Sequence, residues 1–227
     1  MIRELNRMSD RSRLAGMERY GIATGKALGV SVPDLRALAR SLGRDHELAA
    51  GLWDSEIHEA RILASMVDDP ALVTDVQMEA WVRDFDSWDV CDQVCSNLFD
   101  RTRFAFPKAA EWSVREDEFV KRAGFALMAC TAVHRKDVSD DRFEAFLPII
   151  RAQAADDRNY VKKAVSWALR QIGKRSQELN ERAIVTARQI QRVDARAARW
   201  IAGDALRELE GPAVQERLAA RAGRRTG

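Results

Sequence analysis

The sequence predicts an all-α protein, an α-solenoid of HEAT-like helical repeats with a concave basic face, and three observations lead there. Apolar residues recur at i, i+3 and i+4 along almost the whole chain, while alternation of apolar and polar residues over strand length is hard to find. Loosely similar segments return at intervals: His58-Glu59-Ala60-Arg61-Ile62-Leu63-Ala64, Phe119-Val120-Lys121-Arg122-Ala123-Gly124-Phe125, Tyr160-Val161-Lys162-Lys163-Ala164-Val165-Ser166-Trp167 and Ala197-Ala198-Arg199-Trp200-Ile201-Ala202. Their basic residues Arg122, Lys163 and Arg199 are 41 and 36 positions apart, near the ~40–47-residue period of HEAT-type helix pairs. Finally, charge is divided along the chain. Residues 1–118 carry 15 Lys and Arg against 22 Asp and Glu, whereas residues 119–227 carry 22 against 13. A basic second half is a candidate surface for a polyanion, although solvated helix faces produce the same count.

With 227 residues and 46% of them hydrophobic, there is ample material for a core. No Gly/Ser/Pro-rich linker interrupts the helical pattern, so residues 1–227 are expected to form one continuous domain. No apolar run approaches the ~20 residues that span a bilayer. The stretch Met1-Ile2-Arg3-Glu4-Leu5-Asn6-Arg7 lacks the apolar segment of a signal peptide, which predicts a cytoplasmic protein. Three cysteines, Cys91, Cys95 and Cys130, fit reduced thiols better than a disulfide framework.

In chain order, Ser31-Val32-Pro33-Asp34 opens a helix with Ser31 as N-cap, proline in the first turn and Asp34 placed to close a capping box. Asp68-Asp69-Pro70 ends one helix and begins the next. Asp86-Ser87-Trp88-Asp89-Val90-Cys91-Asp92 opens another, with Asp86 as N-cap and Asp89 returning the bond, which leaves Asp92 without a capping role. The loop Asp100-Arg101-Thr102-Arg103-Phe104-Ala105-Phe106-Pro107 is the best internal break, though its aromatics argue for packing rather than for a tether. Around Asn159 to Gln171, Val161, Ala164, Val165, Ala168, Leu169 and Ile172 form an apolar stripe; Lys163, Trp167, Arg170 and Lys174 lie opposite. Ala219–Gly227 is expected to fray.

Two tryptophans carry the functional argument. Trp88 and Asp92 are four residues apart and therefore neighbours on one helix face. Trp167 lies among cations, facing away from its own helix's core stripe. Each tryptophan alone is ordinarily explained by a covering helix, and Asp92 by solvent or an ion pair. The sharper reading is an aromatic platform for a sugar or base, with cations gripping phosphates. Arg122 flanks an apolar helix, where an ion pair to a neighbouring helix competes with a DNA contact. Cys91, Cys95, Cys130 and His134, spaced C-x3-C and C-x3-H, do not have the spacing of a compact zinc finger or ribbon, and buried thiols are common core residues; no metal is expected. His46 and His58 have no convincing partner. No P-loop, dinucleotide-binding glycine pattern, nucleophile elbow or H-E-x-x-H is present, which removes the usual phosphoryl-transfer, hydride-transfer, serine-hydrolase and zincin readings, and no cofactor is expected.

These residues resemble the DNA alkylation repair enzymes of the AlkD type, HEAT-like-repeat DNA glycosylases that excise N3- and N7-alkylated purines. Ser87-Trp88-Asp89-Val90-Cys91-Asp92 is similar to the family's W-D-x-x-D element. Lys163-Ala164-Val165-Ser166-Trp167-Ala168-Leu169-Arg170 is similar to its second tryptophan helix, and Phe119-Val120-Lys121-Arg122-Ala123 to the helix with a DNA-contacting arginine. The resemblance implies Asp92 as catalytic carboxylate, Trp88 and Trp167 as aromatic walls at the lesion's deoxyribose, and Arg122 as a backbone contact; Lys163, Arg170 and Lys174 join it on the cationic side. Ser87 departs from the pattern, where a second aromatic is expected, and this bears on the shape of the cleft.

The implied chemistry needs few groups. A cationic alkylpurine leaves neutral without a general acid, and a carboxylate stabilises the oxocarbenium-like sugar that remains. The expected partner is double-stranded DNA containing alkylated purines, with neither a membrane nor an obligate protein partner. A non-catalytic DNA-binding protein that recognises damaged or branched DNA is the alternative, and a protein-interaction scaffold a third.

Overall fold

A computed structural model describes residues 1–223, with side chains to residue 221. The described residues are helical with no strand among them. They fall into two compact units, Met1–Phe104 and a second beginning at Ala105, so the division lies inside the 100–107 segment identified as the best internal break.

The first unit contains α1 (Ile2–Arg7), α2 (Leu14–Arg19), α3 (Val32–Leu42), α4 (His46–Asp54), α5 (His58–Val67), α6 (Asp75–Arg83) and α7 (Trp88–Asn97), with short 3-10 turns at Arg11–Arg13 and Phe99–Arg101. Helix α3 starts as expected: Ser31 is the N-cap and its Oγ accepts from the Asp34 amide at 3.3 Å, with Pro33 in the first turn. The Asp68-Asp69-Pro70 expectation is half corrected. Asp68 does end α5, but α6 begins at Asp75, where Thr74 caps the Gln77 amide at 3.1 Å.

Helix α5 is the centre of this unit, packing against α1, α3, α4 and α7. The other side of α4 and α6 is an aromatic core: Trp53 and Trp81 stack at 4.0 Å and 2° between planes, with Phe85 6.1 Å from Trp53. Such offset ring pairs contribute on the order of 1 kcal/mol beyond the area they bury.

The second unit contains α8 (Ala105–Trp112), α9 (Glu118–His134), α10 (Asp141–Glu144), α11 (Leu147–Ala152), α12 (Asn159–Gly173), α13 (Gln177–Gln191), α14 (Arg196–Leu209) and α15 (Pro212–Gly223). Phe106, from the expected loop, lies in the first turn of α8 and packs on Phe143 and Phe146 at 5.5 and 5.7 Å. Helices α8, α11 and α13 form one layer, and α9, α12 and α14 the other. Gly124 allows α9 to approach α8, because a Cβ there would lie 2.8 Å from Ser113 Cα and 2.9 Å from the Trp112 carbonyl carbon. Of the expected fraying tail, residues 224–227 lie outside the described residues; α15 runs to Gly223, with Val214 and Leu218 buried.

The repeat is visible in which residues touch. In the second unit, Arg122 meets Tyr160, Ser166 meets Asp204, Arg170 meets Glu208 and Arg151 meets Gln189, every pair 38 residues apart. In the first unit Trp53 meets Asp84 and His58 meets Asp89, both 31 apart. The constant separation means that α9, α12 and α14 run parallel in register. The period differs because α4 to α7 have only 9 or 10 residues each, whereas α9, α12, α13 and α14 have 14 to 17. The 41- and 36-residue spacing of Arg122, Lys163 and Arg199 is thereby corrected: those residues match in type, not in position on the repeat.

Candidate nucleic-acid interface

In the first unit the candidate residues lie at the start of α7. Ser87, with extended backbone at φ −147 and ψ 142, is the N-cap residue, and Asp86 is exposed outside the helix; the expected capping by Asp86 is corrected by one position. Ser87 is 1% exposed and turns its hydroxyl onto Asp89, donating to Oδ1 at 2.6 Å. A large aromatic at this position would have to find space that the packed serine does not use.

Asp89 also receives His58 Nε2 at 2.8 Å, and the Val90 amide lies against its carboxylate. Burial opposes charge on both partners, yet the hydrogen bond and the mutual attraction outweigh it. Asp89 is held below the ordinary carboxylate value, and His58, with Glu59 and Asp86 adding to the pull, is raised above the ordinary imidazole value. His58 is 5% exposed and lines a recess of about 170 Å³ with Lys26, Glu56, Arg61 and Asp86. The buried pair therefore ties the first turn of α7 to the first turn of α5.

That anchorage orients Trp88 and Asp92. Trp88 is half-buried, and its indole N–H donates to the Tyr20 carbonyl at 3.0 Å. The segment that supplies this carbonyl is fixed further on by Glu59, a 1%-exposed carboxylate that accepts the amides of Leu28 and Gly29 at 2.8 and 2.7 Å. Asp92, one turn beyond Trp88, is partly exposed. Four residues that sequence reasoning missed thus support this turn: Tyr20, His58, Glu59 and Ser87. His46 likewise has a partner, Asp68 at 2.6 Å. The only sequence signal for the His58 pair is the 31-residue period, which emerges only once the helices are placed.

In the second unit Arg122 is 6% exposed and donates from Nη1 to the Tyr160 carbonyl at 2.7 Å, joining α9 to the first turn of α12. Beside it, Lys121 reaches Gln153 at 3.0 Å and Asp156 at 3.1 Å. Asp156 is gripped by Arg158 through two nitrogens, at 2.9 and 2.6 Å. The Arg158 hydrogen bonds first, and then Lys121, overcome burial and lower the Asp156 carboxyl to about 2.

On α12 itself Lys163 is exposed and Trp167 half-buried. With the Gln171 amide turned to receive them, its oxygen accepts Trp167 Nε1 and Lys174 Nζ, each at 3.2 Å. Arg170 and Lys174 are not a bare cationic face. Arg170 meets Asp204 at 3.3 Å and Glu208, and Lys174 meets the same Glu208. Burial aside, these two cations keep Glu208 below its ordinary value. Trp88 and Asp92 belong to the first unit; Arg122, Lys163, Trp167, Arg170 and Lys174 belong to the second.

Cys91, Cys95 and Cys130 are free, buried thiols, and among the described residues no three His, Cys, Asp or Glu side chains gather in a metal-holding group. Among the described residues no helix is long and apolar enough to cross a membrane.

A family model for DNA alkylation repair enzymes matches residues 1–209. The chain belongs to that family. The DNA alkylation repair match spans both units and includes every candidate residue above. A solved structure from a family described as related to the HEAT-like repeat DNA glycosylases, with affinity for branched DNA structures, is similar in fold. Its TM-score is 0.76 at 19% identity, covering 92% of this chain and 94% of that one. No curated protein matches the chain. The HEAT-like repeat fold expected from the sequence is thus the fold of this DNA alkylation repair family member.

Proposed function

We propose that this protein is a monofunctional DNA glycosylase that hydrolyses the N-glycosidic bond of cationic N3- and N7-alkylpurines in duplex DNA. The observation that carries the reading is the arrangement at the start of α7: Asp89, its side chain 17% exposed, is taken up by His58 and Ser87, and Asp92, also partly exposed, stands one turn beyond Trp88 on the same helix face. An acid one turn from a tryptophan, on a helix end held by a buried ion pair, has the pre-organisation that electrostatic catalysis requires.

In the reaction the alkylated base carries a positive charge and departs neutral. Asp92 stabilises the oxocarbenium-like sugar and orients the attacking water. Trp88 and Trp167 offer π faces to the developing cation, and Lys163 and Arg122 contribute to the grip on the phosphate backbone. Arg170 and Lys174 act through the Glu208 network that steadies α12 rather than as bare phosphate clamps. Such an enzyme works in the cytoplasm, on the nucleoid.

The test is release of free N7-methylguanine or N3-methyladenine from methylated duplex by excess protein. The wild type releases base, and Asp92→Asn lowers the rate ~100-fold or more while DNA affinity is kept, as for loss of one electrostatic stabiliser. Unchanged release by Asp92→Asn removes Asp92 from the mechanism. No release by the wild type, with DNA binding intact, favours the second reading, a non-catalytic binder of branched or damaged DNA. That alternative draws on the structurally similar family described by its affinity for branched DNA.

A further inference from the structure

The outward face of α14 has no role in the chemistry above, and its composition is unusual for a solvated helix. Arg196, Arg199, Trp200, Gly203 and Arg207 follow one another at helical spacing on the side opposite the buried Ala198, Ile201, Ala202, Ala205 and Leu209. Trp200 is 41% exposed, far more than Trp53, Trp81 or Trp112, which are at most 5% exposed. Lys162 of α12 lies over its ring at 5.5 Å. A side chain at Gly203, one turn on, would meet nothing within 4 Å, so the ground beside the indole is open.

Because α12 and α14 run in register, Trp200 stands beside Lys162 of α12. Trp200 meets Lys162 just as Asp204 meets Ser166 and Glu208 meets Arg170. Lys162 stands over Trp200, and Arg196, Arg199 and Arg207 share its face of α14. The carboxylates within reach are Asp194, fully exposed and 3.0 Å from Arg199, and Asp204, 3.6 Å from Arg207. An exposed indole amid an excess of guanidinium and ammonium groups suits a ligand that brings both a flat π face and phosphates.

We propose that Trp200 is a stacking platform for an unpaired nucleotide of a DNA strand, with Arg196, Arg199 and Lys162 holding the neighbouring phosphates. The proposal rests on the reading of this protein as a DNA-acting one, but not on its being a glycosylase. It gives the protein a preference for duplexes that carry a single-stranded arm over fully paired duplexes.

Fluorescence anisotropy with two labelled probes, a fully paired duplex and the same duplex with a single-stranded arm, tests it. The wild type binds the armed probe more tightly. Trp200→Ala weakens binding to the armed probe about tenfold, within the range for loss of one base–aromatic stack, and leaves the paired duplex, the melting temperature and base release from paired methylated duplex unchanged. Trp200→Phe restores most of the preference. Equal affinity of the wild type for both probes, an equal loss by Trp200→Ala on both, or no loss on either, with or without a change in self-association by sedimentation, overturns the platform. In those cases base release still stands as the separate test of the proposed function, which fails if the wild type releases no base from methylated duplex.

Discussion

Asp156 offers a quantitative test of how the second unit holds α12 in position. Its carboxylate receives Lys121 at 3.1 Å and Arg158 at 2.9 and 2.6 Å, and its side chain is 12% exposed. The carboxyl is lowered from 3.8 to about 2, and at ~1.4 kcal/mol per pH unit this corresponds to about 2 kcal/mol of stability. Since the folded value is depressed, that contribution is complete above the ordinary carboxylate value of 3.8 and disappears as pH falls through about 2. Asp156→Asn therefore destabilises the protein by about 2 kcal/mol at pH 7, and the gap to wild type narrows between pH 4 and pH 2. Urea unfolding followed by far-UV circular dichroism at each pH measures it, with equal slopes for the two proteins. A gap that is the same at pH 7 and pH 2 would show that the loss comes from packing and not from charge, and the account of Asp156 would fall.

Other consequences follow from the same contacts. His58→Asn removes one partner of a buried pair and costs about 3 kcal/mol; His58 contributes fully below 6.5 and loses its effect as pH rises through its raised value, while Asp89 contributes above 3.8 and loses its effect as pH falls through its lowered one. The melting-temperature difference from wild type is thus largest between about pH 4 and 6.5 and shrinks toward pH 9, and a difference that grows with pH contradicts the pairing. Gly124→Ala sets a methyl against the Ser113 and Trp112 backbone and lowers stability by about 3 kcal/mol in a thermal melt. Lys163→Ala reduces the slope of log affinity for duplex DNA against log salt by about one, whereas Lys174→Ala, whose ammonium already faces Glu208, reduces it by less; equal reductions would mean that the Glu208 pairing opens on DNA.

The helices were legible because their buried faces follow a 3.6-residue period, as α12 shows: each residue of its expected apolar stripe, from Val161 to Ile172, is buried. Ser31 was legible because serine, proline and aspartate stand where a capped first turn needs them. Asp86 misled because aspartate and serine are both good caps and the choice depends on which backbone is extended, a property of Ser87 alone. The repeat length misled for a different reason. Basic residues recur by composition, while the period is set by contacts, 31 residues between short helices and 38 between long ones. The support around Trp88 was hidden for the same cause, since His58 and Glu59 act on residues about thirty positions away. Arg170 and Lys174 read as a free cationic edge because their counter-charges Asp204 and Glu208 come from the next repeat.

Under the proposed function, Asp89 and Asp92 divide structural from chemical duty at one helix end. Both are aspartates three positions apart, so composition and spacing give them equal claim to a site. Both are partly exposed, and it is the contacts of Asp89 that mark its structural role. A carboxylate that already accepts His58, Ser87 and a backbone amide has little capacity left for a sugar cation, and protonating or removing it would disturb the first turn of α7 before any chemistry was affected. Asp92 lies one turn beyond Trp88, past that first turn. The lowered value of Asp89 and the raised value of His58 each favour the charged form, so the pH range over which the pair holds the first turn of α7 is widened at both ends. Change at Asp89 therefore strikes first at the turn that presents Trp88, whereas change at Asp92 strikes first at the proposed reaction.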